Sequence, residues 1–417
     1  MKFRFAIYLL ALCCALPAAA CADGEHGRKE GGKGSGNNDT DSRPYSEKMF
    51  VKRQGDDLYI SAKMDRSTDI VYWFKRCMFN ELYTFYRVGI IGNNDATPTN
   101  KPETQPEVVL NLAYSDNIGP FAVAGCGWCG ANHKYMERTA RTAYNEGYAV
   151  FVDGNRIDGD LAVTAGQVEI EVENVILDPS RPYRNAAGEE ELRDVLCRES
   201  VRYRINRNNI EVAASHRFCN PTPVTIAIYY GMQSMFEGET HLFTPAGAYG
   251  DWTPAADVST FNKGQYPQFR RYLEKNTKAY QSTFLLPDGL GDHSRLGDDD
   301  IVFINASYGK SYHKLIADKS MKEGDQINWR GIYTWFVSPL ADDTELLCYE
   351  GIADGRTAIF IDCKKACKRD LKLPSYLDAR KYEVLDSYGR VQVTADGRHT
   401  LKISADAAGG SVLLLKK

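Results

Sequence analysis

The densest group of chemically functional side chains lies between residues 121 and 135. This window contains two cysteines, a tryptophan, an amide, an imidazole and a phenol, at Cys126, Trp128, Cys129, Asn132, His133 and Tyr135. Three glycines separate these residues and give the backbone freedom. Because this composition is not that of a regular helix or strand, we predict a loop on a scaffold, where functional sites are common.

The side chains in this window suit the binding of a sugar. Trp128 offers a flat apolar face, and Asn132 and His133 offer polar contacts beside it. We therefore predict Trp128 and Asn132 as substrate contacts and His133 as an acid. Asn132 and His133 would also suit β-elimination at a uronic acid, in which an amide neutralises the carboxylate. In the alternative interpretation, Trp128 fills the core and the cysteines are structural.

A second group of candidates follows a strand predicted at Val224–Met232. The predicted substrate contacts are Tyr230, Gln233, Tyr249 and Trp252. The remaining candidates of this group are the bases Glu237 and Asp251 and the acid His241. General acid–base catalysis requires such groups within hydrogen-bond reach of the substrate.

Alternation along the predicted strands assigns faces to several candidates. In Ile210–Phe218, His216 shares a face with apolar residues, so it is either a catalytic acid or a core histidine with a partner. In Val224–Met232, the same alternation places Tyr230 with the apolar residues and Tyr229 on the opposite face. Val168, Ile170 and Val172 alternate with glutamates, which predicts a half-buried strand with a solvated acidic face.

We predict no cofactor, and one acidic segment suggests calcium. Asp292, Asp298 and Asp300 lie in a turn rich in carboxylates, although their spacing is not that of an EF-hand and a solvated turn is the alternative. Outside the N-terminal segment, cysteines occur at positions 77, 126, 129, 197, 219, 348, 363 and 367. A C-x-x-C redox site and a four-cysteine zinc site remain alternatives to structural thiols or a local disulfide.

The N-terminus predicts export. Residues 1–20 have a charged start, a short apolar segment and small residues before Cys21, which is the pattern of a signal peptide. The end of this segment resembles the lipobox of bacterial lipoproteins, and the resemblance implies a lipid on Cys21. Ala18 departs from the lipobox pattern, and an ordinary cleavage site is the alternative. Residues 21–48 are mostly polar and small, which predicts a disordered tether.

The remaining sequence predicts one large all-β body at 49–417. Short runs rich in Val, Ile, Tyr and Phe recur between Gly, Asp and Ser turns, and we predict antiparallel sheets packed as a β-sandwich or supersandwich with one or two short helices. One amphipathic helix is predicted at Gln265–Asn276. The net charge is −4 without a basic stripe, which argues against nucleic acid as a partner.

Strand number, strand length and loop chemistry over residues 50–417 resemble the β-supersandwich of galactose-mutarotase-like carbohydrate proteins. In that family a histidine and a carboxylate act as acid and base across a sugar ring. The aromatic residues at 128 and 249–252, together with the lipobox-like start, lead to the first hypothesis. It is a lipoprotein of the cell envelope, held at the outer membrane or in the periplasm, that binds or processes a carbohydrate as a hydrolase, lyase or epimerase. The alternative is a non-catalytic glycan-binding or structural surface protein.

Overall fold

The computed structural model describes residues 42–112, 118–235, 240–243, 249–252, 258–261, 269–274, 279–286, 302–305 and 310–417. Thr40–Lys417 forms one compact unit. Several predictions lie outside the described residues: the signal peptide, Cys21, most of the tether, Glu237, Asp292, Asp298 and Asp300. Residues 42–48, which we assigned to the tether, are described and pack against the body through Arg43.

Strands dominate the first half of the described chain. They are β1 (Met49–Gln54), β2 (Asp57–Lys63), β3 (Thr68–Cys77), β4 (Leu82–Gly92), β5 (Val108–Leu112), β6 (Phe121–Val123), β7 (Gly127–Cys129), β8 (Ala143–Val152), β9 (Asn155–Ile157), β10 (Leu161–Ala165), β11 (Val168–Leu177), β12 (Pro182–Arg184), β13 (Glu190–Leu192), β14 (Val195–Asn206), β15 (Asn209–Phe218) and β16 (Val224–Met235).

The second half continues in the same way. Its strands are β17 (Thr240–Phe243), β18 (Tyr249–Trp252), β19 (Val258–Phe261), β20 (Phe269–Glu274), β21 (Ala279–Leu285), β22 (Val302–Asn305), β23 (Lys310–Met321), β24 (Gln326–Phe336), β25 (Ala341–Asp342), β26 (Leu346–Ala353), β27 (Arg356–Cys363), β28 (Cys367–Lys372), β29 (Tyr382–Tyr388), β30 (Val391–Ala395), β31 (Thr400–Ala405) and β32 (Gly410–Lys416). Two short 3₁₀ helices lie among the described residues, at Tyr135–Glu137 and Ala379–Lys381.

Three antiparallel sheets enclose the main core. The N-terminal sheet has the order β10-β1-β2-β3-β4-β5, the ten-stranded sheet has the order β18-β17-β20-β21-β24-β15-β14-β11-β8-β9, and the β16 sheet has the order β19-β22-β23-β16-β6-β7. Their inward residues form one apolar cluster that includes Phe74, Phe85, Tyr203 and Tyr333. The all-β class predicted from the sequence is confirmed.

A smaller sandwich at the C-terminus covers part of the ten-stranded sheet. Its two sheets have the orders β25-β26-β27-β32-β29 and β28-β31-β30, and they share a core of their own. The five-stranded sheet also packs its other face on β21 and β24. Phe336 of β24 stacks on Tyr349 of β26 across this contact, with ring centroids 4.2 Å apart. Tyr349 in turn stacks on Phe360 of β27 within the five-stranded sheet, at 4.9 Å.

Burial along β11 and β15 agrees with the predicted alternation. Val168, Ile170 and Val172 lie in the core. His216 is also buried there, as its apolar neighbours on β15 require.

Three local predictions are wrong. Within the helix predicted at Gln265–Asn276, the described residues Phe269–Glu274 form strand β20, because backbone pairing with β17 and β21 on its two sides outweighs local helix preference. The window at 121–135 is not a plain loop, since β6 and β7 form a hairpin within it. The faces of Tyr229 and Tyr230 are exchanged, because bulges in β16 shift the alternation, so that Tyr229 enters the core and Tyr230 is half-exposed.

Candidate functional site

Two predicted residues of the 121–135 window, Trp128 and His133, lie together with Tyr230 of the second predicted group. The Trp128 ring stacks on the His133 ring, with centroids 5.4 Å apart and planes at 22°. It also stacks on the Tyr230 ring, at 5.7 Å and 20°. All three side chains are half-exposed, so two separate predicted groups meet in one row of rings at the surface.

A buried pair that the sequence analysis missed holds this window in place. The Asn80 amide donates to the carbonyl oxygens of Ala131 and His133, both at 2.9 Å. The Thr142 hydroxyl accepts from the Gly130 amide at 3.1 Å and donates to the His133 carbonyl. Both side chains are fully buried, so they fix the backbone on which Trp128 and His133 stand. An isolated asparagine and threonine give no sequence signal for this role.

The remaining predicted residues are placed elsewhere or are only partly described. Asn132 accepts a hydrogen bond from the Phe79 amide at 3.1 Å, which ties it to the β3–β4 connection. Gln233 is fully buried. In the β17–β18 hairpin the backbone register places His241 opposite Asp251. The same register pairs Trp252 with Thr240 and Tyr249 with Phe243.

His216 lies in a buried polar group at the centre of the main core. Its Nε2 is 2.8 Å from Oε2 of Glu199, which also accepts from the Asn174 amide through Oε1 at 2.8 Å. The Tyr229 hydroxyl lies 3.5 Å from Nε2 and accepts from the Trp329 indole at 2.7 Å. With no exposed surface, His216 corresponds to the core histidine of the alternative interpretation.

The C-x-x-C cysteines have the environment of structural thiols. Burial raises the pKa of the Cys129 thiol well above its usual range and raises the pKa of Cys126. A reactive redox cysteine has the opposite tendency, toward a lowered pKa. Among the described residues, no group of three or more His, Cys, Asp or Glu side chains is arranged to hold a metal ion.

An open groove lies on the outer face of the ten-stranded sheet, with a volume of about 550 Å³. Two rows of cross-strand neighbours on β11, β14, β15 and β24 form it. One row is Glu173, Ser200, Ser215 and Asn328, and the other is Glu171, Arg202, Ala213 and Arg330. The glutamates are the ones that the sequence analysis assigned to a solvated face, and alternation alone gave no sign of the groove between them.

The floor of the groove is low because its central residues are small. Ser200, Ala213 and Ser215 lie on the middle strands together with the longer Arg202, between the glutamates of β11 and Asn328 and Arg330 of β24. The Ser200 hydroxyl donates to Oε2 of Glu173 at 2.6 Å. The C-terminal sandwich borders the groove, since Arg330 forms an ion pair with Asp354 in the β26–β27 turn.

One carboxyl beside the groove differs in environment from the two glutamates that line it. Glu211 precedes Ala213 by two residues on β15 and therefore lies on the same face. Burial raises the pKa of this carboxyl, although Arg204 opposes the effect with its Nη1 3.4 Å from Oε2. The backbone amide of Gly355, from the C-terminal sandwich, also approaches Oε1 at 3.4 Å. A carboxyl held toward its protonated form can serve as a proton donor.

None of the helices in the described part of the chain is long and apolar enough to cross a bilayer.

Comparison with known proteins shows no family for this chain. No family model matches the chain, and no curated protein matches it. Among solved structures, a GH36 α-galactosidase from Geobacillus stearothermophilus is 8% identical with a TM-score of 0.38, over 70% of this chain and 41% of that chain. The chain therefore spans about two fifths of the α-galactosidase it overlaps.

Two other solved structures overlap the chain to a similar or lower degree. The Slr1438 protein from Synechocystis sp. PCC 6803 is 8% identical with a TM-score of 0.32, over 72% of this chain and 98% of that chain. A chondroitin AC lyase from Streptomyces coelicolor A3 is 8% identical with a TM-score of 0.19, over 86% of this chain and 48% of that chain. Overlaps at this level assign no activity.

Proposed function

We propose that this protein is an exported, lipid-anchored protein of the cell envelope that binds a carbohydrate in the groove of the ten-stranded sheet. The observation that supports binding is the lining of the groove, which combines carboxylates, guanidinium groups, an amide and hydroxyls above small residues. The lipobox-like sequence at Cys21 supports the anchor. The groove, rather than the buried His216, is where a soluble ligand has access.

The lining suits a polyhydroxyl ligand because it supplies both donors and acceptors. Each sugar hydroxyl donates one hydrogen bond and accepts others. Glu171 and Glu173 are acceptors, Arg202 is a donor, and the Asn328 amide is both. Hydrogen bonds that involve a charged partner are the stronger ones, so the glutamates and Arg202 should contribute most of the affinity.

Processing of the carbohydrate is the second candidate, and Glu211 is the observation that favours it. Glu211, whose pKa is raised, lies on the same face as the two exposed carboxylates. Carboxyl groups in such different environments have different pKa values, so one can act as acid and another as base. Glu211 would then donate a proton to the leaving group, and Glu171 or Glu173 would act as base or nucleophile. Hydrolysis, elimination and epimerisation all use acid and base groups of this kind.

The test measures binding and turnover on a panel of neutral and acidic glycans. The sample is the chain from Ala22 onward. It is compared with the variants E171Q and R202Q and with the control E383Q, which alters an exposed glutamate of β29. We expect E171Q and R202Q each to weaken Kd about tenfold or more, because each removes a charge-assisted hydrogen bond, and we expect E383Q to bind as the unchanged protein does. Calorimetric titration gives Kd.

The same samples report on catalysis. New reducing ends indicate hydrolysis, unsaturated uronate absorbance indicates elimination, and NMR of the anomeric protons reports epimerisation. Turnover that is lost in E211Q and kept in E383Q would establish the enzyme. Binding without turnover would leave a glycan-binding protein, and equal binding by E171Q, R202Q and E383Q would refute the groove as the site.

A further inference from the structure

A row of alternating aromatic and cationic side chains crosses the outer face of the N-terminal sheet. Lys52, Tyr59, Trp73 and Arg87 lie directly opposite one another on β1, β2, β3 and β4. Directly opposite residues on paired strands have neighbouring side chains, so the four form one continuous row. Three interstrand spacings give the row a length of about 14 Å. We call this row and the adjoining Lys75 and Tyr86 the cation–aromatic row.

The rings of this row contact each other and are held in place. Tyr59 stacks on Trp73 with centroids 5.5 Å apart, and Tyr86 meets Trp73 edge-on at 5.1 Å. A bulge between Trp73 and Phe74 turns Tyr86 toward this face. The Trp73 indole donates to Oδ1 of Asp57 at 2.8 Å, which fixes the orientation of the ring.

Two cations lie over these rings. The Lys75 ammonium is 4.1 Å from the centroid of Trp73 and 4.0 Å from that of Tyr86. The Arg87 guanidinium carbon is 5.0 Å from the Trp73 centroid. Both side chains are half-buried, so part of their hydration is replaced by aromatic surface.

Neither of these two cations forms an ion pair with a described carboxylate, although Asp57 accepts from the indole between them. Lys52 is paired with Glu103 at 2.6 Å, whereas Arg87 donates to the neutral Gln105 amide oxygen at 2.7 Å. Among the described side chains, no carboxylate lies within ion-pair distance of Lys75 or Arg87. Burial without a carboxylate partner also lowers the pKa of Arg87. The row therefore has two positive charges available to an anionic group from outside.

We infer that the cation–aromatic row is a second binding site, separate from the groove, and that its ligand is an anionic glycan. Lys75 and Arg87 would bind the carboxylates or sulfates of the glycan, and the exposed parts of Tyr59, Trp73 and Tyr86 would contact the apolar faces of its sugar rings. The row crosses the strands, so the glycan chain runs across the sheet. Charge alone would suit any polyanion, and the adjoining rings are what favour a sugar.

The test is affinity electrophoresis of the chain that begins at Ala22, in native gels that contain polygalacturonate, dextran or polyphosphate. We expect polygalacturonate to slow the protein and dextran to leave its mobility unchanged. The K75Q/R87Q variant should bind polygalacturonate about tenfold more weakly or worse, since two charge-assisted contacts are removed. The control K368Q alters an exposed lysine of β28 and should bind as the unchanged protein does.

Each alternative outcome refutes part of the inference. Equal retardation by dextran would show that the charges play no part, and equal retardation by polyphosphate would show that the site binds polyanions without regard to sugar. An equal loss in K368Q would mean that general surface charge is responsible. No retardation by polygalacturonate would refute the site. E171Q should retain its binding to polygalacturonate, so failure of the groove proposal and failure of this one are distinguishable.

K75Q and R87Q replace each cation by a shorter but polar and unbranched side chain, which limits disturbance of the sheet. Circular dichroism and the Tm of the variant should match those of the unchanged protein. If they do not, the single variants K75Q and R87Q are compared in the same gels. Each single variant should then show an intermediate loss of affinity, and unchanged affinity in both would refute the inference.

Discussion

Glu211 is a carboxyl with little access to water, since only 8% of the residue is exposed. It contacts Arg204 and the Gly355 amide, yet burial prevails and its pKa is raised from the ordinary 4.5. The native state therefore holds this proton more tightly than the unfolded chain does. As pH rises from the ordinary glutamate pKa to the raised one, the folded protein loses stability through this group.

Replacement of Glu211 by glutamine should remove this penalty. We expect E211Q to have a higher free energy of unfolding than the unchanged protein at pH 7.5, with the difference shrinking toward pH 4, where Glu211 is mostly protonated in both states. Urea unfolding at the two pH values measures this, with E383Q as the exposed control. A lower stability of E211Q at pH 7.5 would show that the contact with Arg204 outweighs burial.

Single residues also set the limit of what the sequence predicts. Alternation correctly placed His216 in the core, because β15 pairs in continuous register on both sides. The same alternation assigned Tyr229 and Tyr230 to the wrong faces of the sheet, because β16 contains bulges that break the period of two. A bulge depends on pairing with strands that are distant in sequence, so the local sequence pattern does not predict it.

The segment before β1 links the two sandwiches. Arg43 pairs with Glu47 at 2.8 Å and with Glu350 of β26, and its guanidinium carbon lies 4.3 Å from the ring centre of Tyr376. Arg207, in the β14–β15 turn, reaches Glu350 at 3.1 Å. Only 7% of the Arg43 side chain and 11% of the Glu350 side chain are exposed, so these charges are largely desolvated.

Removal of Arg43 should therefore destabilise the whole body. We expect R43A to lower the free energy of unfolding by about 3 kcal/mol, at the low end for breaking a buried ion pair because Arg207 still contacts Glu350. R156A is the control, since its pair with Asp158 is exposed and should contribute less than about 1 kcal/mol. Urea unfolding measures both, and equal losses would contradict a structural role for this segment.

Elements differed in how well the sequence predicted them. Strands of the buried sheets, such as β4 at Leu82–Gly92, follow from runs of β-branched and aromatic residues. The helix predicted at Gln265–Asn276 failed because spacing of apolar residues says nothing about neighbouring strands, and β20 is paired on both edges. The groove and the cation–aromatic row were missed for the same reason, since their residues become neighbours only through strand pairing.

At the scale of the molecule, the C-terminal sandwich and the ten-stranded sheet share a core. Tyr280, Phe284 and Phe336 on one side meet Leu347, Tyr349, Phe360 and Leu413 on the other. Because each side would expose this apolar surface if it unfolded alone, the two should unfold together.

Calorimetry of the chain that begins at Ala22 should thus show one transition. F360A should lower the free energy of unfolding by about 3–5 kcal/mol, and it should move that transition as a whole. L385A is the matched control, because Leu385 is an exposed apolar residue of the same sandwich and should have little effect. Two separate transitions, or an effect of F360A on only part of the heat uptake, would contradict a shared core.

The position of Arg43 also determines how the body would respond to force. If the N-terminus is held by a lipid, tension along the tether reaches residue 43 before it reaches the first hydrogen bonds of β1. Arg43 would pass that load to Glu350 and Tyr376 of the C-terminal sandwich rather than directly to β1. Paired strands separate most easily when force breaks their backbone hydrogen bonds one after another. Attachment through Arg43 would protect β1 from being pulled off its neighbours in this way.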